Sequence, residues 1–143
     1  MNHPLSIALL LFTLAPQHQK LPDAFYQIPE QVRERATVIV SGKYAEGISP
    51  CIFMPDGSRE RALESWFNIK RVYRGKVSNK AIFINRAMLP VNGYSNKKLK
   101  RDHNYLVLLR PSEESMKMIQ TREDLSFWDA LHDEEIIAIV DLK

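Results

Sequence analysis

Cysteine is almost missing from this chain: Cys51 stands alone in 143 residues. No internal disulfide can form, so the fold must rest on its core rather than on the staples of many small secreted domains. Three fates are open to the thiol: a small buried hydrophobe, an exposed free thiol, or half of an intermolecular disulfide. N-glycan acceptors are missing too, since Asn79 is followed by Lys-Ala and Asn96 by Lys-Lys. Internal repeats and low-complexity tracts are absent. So are a Gly-rich phosphate loop, a serine nucleophile elbow and a zinc-spaced His/Cys set, which leaves no sequence motif for those chemistries. Net charge is small: 20 Lys and Arg against 17 Asp and Glu leave a formal +3 and a pI of about 9.0, too weakly basic alone to argue for nucleic acid.

What is present suits one domain. The length fits a single core, and 45% hydrophobic residues are enough to build it. An 11-residue run at 5–15, Leu-Ser-Ile-Ala-Leu-Leu-Leu-Phe-Thr-Leu-Ala, is too short for a bilayer span, which needs about 20 residues. It has the length of a secretory h-region, and Thr13 and Ala15 supply small residues before a cut. No Lys or Arg precedes it, and Pro16 follows, which moves the expected cut toward Gln19. The alternative is an N-terminal core strand or helix. The expected organisation is a signal peptide over 1–19, an arm and short helix over 20–35, and one domain over 36–143.

Most of that domain reads as strands. After a polar, extended arm over 17–28, Pro29 and Glu30 start one or two helical turns. Val38-Ile39-Val40-Ser41-Gly42-Lys43-Tyr44 is rich in β-branched residues, and Gly42 marks a bulge or sharp bend. Asp56-Gly57 is a tight-turn signal between a short strand at 51–54 and a return from about Arg61. A long strand over 62–74 breaks alternation between Ile69 and Val72, the slip a bulge produces, and Gly75 turns it into 81–85. Tyr105-Leu106-Val107-Leu108-Leu109 is too apolar to sit in water on both faces. Residues 113–120 fit a strand or a short helix, and 124–132 a helical turn placing Leu125, Trp128 and Leu131 on one face. A last strand covers 135–140. Five or six strands with short peripheral helices fit a mainly β, partly open Greek-key barrel.

Phe67-x-Ile69-x-x-Val72-Tyr73-Arg74-Gly75 resembles the aromatic-x-aliphatic-x-x-Val-aromatic-basic-Gly strand of netrin-like domains, the OB-fold superfamily of the tissue inhibitors of metalloproteinases. Ala36 to Lys43 is similar to their first strand, and Leu99-x-x-Asp102-x-x-Tyr105-Leu106-Val107 to a later one. The likeness covers about residues 36–109. It implies an OB-fold barrel, an extracellular setting and protein binding. Where the family has a turn glycine this chain has Asp102, and Asp tolerates the left-handed conformation. The inhibitors chelate a protease's zinc through an N-terminal cysteine. No cysteine lies near residues 16–25, so that mechanism transfers to no residue here, and any protease inhibition would use another surface.

The candidate binding residues are Lys97, Lys98, Lys100 and Arg101, four cations in five residues, and Trp66. The cluster could bind sulfated glycans, acidic headgroups or an acidic protein surface, but a solvated loop that maintains solubility is the favoured reading. If Phe67 lines the core, Trp66 points outward, where the chain's own ends (Phe127-Trp128, for example) cover it or it joins a binding patch. A nucleic-acid reading of the OB-fold needs exposed aromatics among the basic residues, and only Tyr94 is close. His132-Asp133-Glu134-Glu135 lacks the patterned spacing and glycine of a calcium loop and reads as a solvated turn. Nothing local activates Cys51 toward His103 or His132. The expectation is a secreted, non-enzymatic binder with no catalytic residue, metal or cofactor.

Overall fold

The computed structural model describes residues 20–48, 52–53, 55–60, 63–84 and 99–142. The run at 5–15, Cys51, Tyr94, Lys97 and Lys98 lie outside the described residues, and with them the expected signal peptide. Two short helices come first, α1 (Asp23–Tyr26) and α2 (Glu30–Arg33), followed by strand β1 (Val38–Ile48). A small hairpin, β2 (Ile52–Phe53) and β3 (Arg59–Glu60), leads to β4 (Leu63–Arg74) and β5 (Ala81–Ile84). After β6 (Asn104–Leu109) come α3 (Glu113–Thr121), two 3-10 turns (Phe127–Asp129 and Asp133–Glu135) and β7 (Ile136–Leu142).

β1 lies at the centre of a five-stranded antiparallel sheet in the order β5-β4-β1-β6-β7. The sheet is not closed. A single parallel bridge, Ile84 to Leu131, joins edge strand β5 to the segment before β7, with the Leu131 N–H donating to the Phe83 carbonyl at 2.9 Å. The hairpin signal at Asp56-Gly57 is realised with Gly57 at φ +82° and the Asp56 carboxylate accepting from the Ser58 N–H and hydroxyl. Its return strand begins at Arg59, two residues before the expected Arg61.

Alternation along β1 sorts side chains to two faces. Val38, Val40 and Tyr44 point into the main core with Phe67, Ile82, Ile84, Tyr105, Val107, Leu109 and Ile139. Ile119 and Met116 of α3 cover that core, which settles 113–120 as helix. Ser112 caps α3 by accepting from the Ser115 N–H at 3.2 Å. On the opposite face Ile39, Leu106, Leu108, Ile137 and Ala138 form a second buried cluster with Phe25, Ile28 and Ala36. The segment expected to be an extended arm is therefore partly helical at Asp23–Tyr26 and lies on the sheet. Its polar composition hid two anchors, Phe25 and Ile28, which pack against strands far away in sequence. Leu125 and Leu131 join the main core, but Trp128 is 76% exposed: the helical turn spans only Phe127–Asp129, so both leucines lie outside it and no common helix face aligns the three.

Glu135 corrects the reading of 132–135 as a solvated turn. It is buried, and its carboxylate accepts from the backbone N–H groups of Ser112 and His132, each at 2.8 Å. It thus ties the entry of α3 to the entry of β7. Burial pushes its pKa up, but the side-chain bond from Ser115 and the bonds from Ser112 and His132 outweigh it, leaving the carboxyl below its ordinary value.

Two outcomes are expected. Phe25→Ala should lose about 3 kcal/mol, the cost of truncating a buried aromatic, and uncover apolar surface; urea unfolding and dye binding measure this. Glu135→Gln should cost about 1–3 kcal/mol at pH 7 through its unmade charge-assisted bonds. A depressed carboxyl pKa stabilises above the ordinary value and loses that contribution as pH falls through the folded one. The gap between Glu135→Gln and the parent should therefore narrow in unfolding curves taken from pH 5 downward.

Candidate binding face

The outer face of the sheet is divided. The α1–α2 segment covers its β6–β7 half, while among the described residues no helix lies over the β4–β5 half. Trp66 and Phe67, adjacent on β4, point to opposite faces as alternation requires. Phe67 is fully buried against Tyr44 and Tyr105, with ring centroids at 5.6 and 6.0 Å. Trp66 is half-buried on the outer face, opposite Ala45 of β1 and Phe83 of β5. Its ring sits 5.6 Å from that of Phe83 and lies over Gly47, where a Cβ would come within 3.0 Å of the indole. Among the described residues its cross-strand neighbours flank it.

Residues 99–103 form the turn that enters β6. Leu99 is buried and anchors it. The Lys100 N–H donates to the Tyr105 hydroxyl at 2.8 Å, and backbone bonds from Asp102 N–H to the Tyr44 carbonyl and from Tyr44 N–H to the His103 carbonyl, each 2.9 Å, pin the turn to β1. Asp102 takes φ +62°, so the left-handed turn is made without glycine. Lys100 is exposed. Arg101 is exposed but paired, its Nε lying 2.9 Å from Glu46 Oε2. Glu46 also accepts from the Tyr44 hydroxyl at 2.8 Å. Arg101 therefore brings less uncompensated charge to a partner than its place in a basic run suggests. Trp66 and Arg101 both lie against residues 44–47 of β1, but Ala45 and Glu46 point to opposite faces, so the two do not form one patch.

The bulge legible between Ile69 and Val72 is present, and a second follows it. Ser41 pairs with Arg71 and Gly42 with Ile69, leaving Lys70 as the extra residue; Ile39 pairs with Arg74 and Val40 with Val72, leaving Tyr73. Gly42 sits at the first bulge because a Cβ there would lie 2.8 Å from the Asn68 carbonyl oxygen. The bulge places Lys70 and Arg71 on the same outer face despite their adjacency. With Ser41, Tyr73, Asn104 and Leu142 they line an open depression of about 340 Å³ at the border of the α1–α2 cover. Composition and charge runs gave no warning of this site. The broken alternation at 69–72 was its only trace.

Among the described residues no group of three or more His, Cys, Asp or Glu side chains is placed to hold a metal ion, and no helix is long and apolar enough to cross a membrane. Comparison with protein-family models, curated proteins and solved structures finds no match.

Asp102→Gly should keep the turn and raise stability by up to about 1 kcal/mol, because glycine adopts positive φ without the Cβ penalty. Asp102→Val should lower it by a similar amount or more. Thermal melts of both variants check the assignment.

Proposed function

We propose that this chain is a secreted, non-enzymatic binding protein of netrin-like type that engages an extracellular protein through the outer face of an OB-fold barrel. Three placements support the barrel: a central first strand, the two motif-bearing strands β1 and β4 as neighbours, and the Ile84–Leu131 bridge linking the β5 edge to the segment before β7. The binding reading is carried by Trp66, an indole half-exposed beside Phe83 on the part of the face that α1 and α2 do not reach. An aromatic in that setting is the usual anchor of a protein interface. The second reading, a sulfated glycan held by the 97–101 loop, draws on the exposed ammonium of Lys100.

Binding of the labelled protein to cultured cells separates the two. Protein engagement requires binding that survives heparinase, disappears after surface proteolysis and falls about tenfold or more in Trp66→Ala. Glycan engagement requires heparinase sensitivity, collapse at high salt and loss in the Lys97, Lys98, Lys100 and Arg101 charge-reversal variant. Intact-mass analysis of medium and cells from a secretory host tests export itself. An unprocessed chain of about 16.6 kDa retained in the cytosol defeats the extracellular reading.

A further inference from the structure

We infer that the depression across the β4 bulge is an oxyanion site for a sulfate or phosphate monoester. Its polar lining consists of groups able to donate: the Lys70 ammonium, the Arg71 guanidinium, the Ser41 and Tyr73 hydroxyls and the Asn104 amide. Among the described residues Leu142 supplies the one apolar wall, and no Asp or Glu lines it. Neither Lys70 nor Arg71 forms an ion pair among the described residues. Ser41 is only 6% exposed as a residue, but its hydroxyl makes no side-chain hydrogen bond among the described residues and opens onto the depression, where it is free to donate to a ligand.

The bulge explains why the cations converge. In a regular strand Lys70 and Arg71 would face opposite sides of the sheet; the extra residue turns both outward, and the second bulge adds Tyr73 to the same face while Val72 stays in the core. The donors then come from three adjacent strands: β4 with Lys70, Arg71 and Tyr73, β1 with Ser41, and β6 with Asn104. A carboxylate offers two oxygens in one plane. A tetrahedral monoester offers three, directed apart, which matches donors arriving from several strands, with Arg71 able to take two of them. The site requires neither export nor the 97–101 loop, so it stands independently of the reading above.

The test uses the full chain, isotope-labelled, titrated with glucose 6-sulfate and with glucose 6-phosphate, which differ only in the oxyanion. Saturable amide shifts centred on Ser41, Arg71 and Asn104 are expected with at least one probe. The probe that binds tells a sulfated sugar from a phosphomonoester, and binding of both assigns the oxyanion itself. The Lys70→Ala/Arg71→Ala variant should bind at least about tenfold more weakly, because two charge-assisted contacts are removed. Ser41→Ala should also weaken binding, with no change in net charge. Lys76→Ala/Lys80→Ala removes the same charge from the β4–β5 connection and should leave affinity within about twofold if the contacts are local. Dispersed spectra of each variant verify folding. Equal loss in the two double variants, shifts centred on residues 100–101 instead, or no saturable shift with either probe overturns the assignment.

Discussion

The structure depends on one constraint: β1 and β6 are apolar on both faces over residues 38–40 and 105–109, so the sheet they form needs two covers. A single layer with one face in water would leave Ile39, Leu106 and Leu108 hydrated, at about 1.5–3 kcal/mol for each side chain. The inward face is covered by Ile119 and Met116 of α3 and by Leu125 and Leu131 of the segment before β7. The outward face is closed by α1, α2 and the residues around them, with Phe25 and Ile28 as anchors. Trp66 and the Lys70–Arg71 depression lie on the outward face where this second cover stops.

Bulges bend and twist the strands that carry them, and the β1–β4 pair has two. Two bulges within a few residues and a glycine at the closest approach coil the strands. The same irregularities set the chemistry of the outer face. They turn neighbouring cations to one side, and they bring Tyr73 to the border of the helical cover, where it packs with the second core cluster. Bending the sheet and building a cationic depression are thus one feature seen from two sides.

Polar groups at the turns are used with similar economy. Glu135 satisfies two backbone donors from different elements. Asp102 holds a left-handed turn that glycine commonly occupies. Glu46 links the turn before β6 to β1 through Arg101 and Tyr44. With no internal disulfide open to a chain of one cysteine, these contacts and the core position the loops.

Much of this was legible in order along the chain. Runs of β-branched and aromatic residues marked the strands, Gly42 and the slip at 69–72 marked the first bulge, and Asp56-Gly57 and Gly75 marked turns with φ of +82° and +83°. These signals are local: backbone sterics and side-chain alternation act within a few residues. The helical form of Asp23–Tyr26, the burial of Glu135, the pairing of Arg101 with Glu46 and the meeting of Lys70, Arg71, Ser41 and Asn104 left no such mark. Each depends on partners 20 or more residues away, as the Arg101–Glu46 separation of 55 shows. The sequence by itself determined where the strands and turns fall, because those choices are made by neighbouring residues. Only the tertiary structure decided which polar and charged side chains share a surface, because that depends on the register and bulges of strands that meet after the chain has folded.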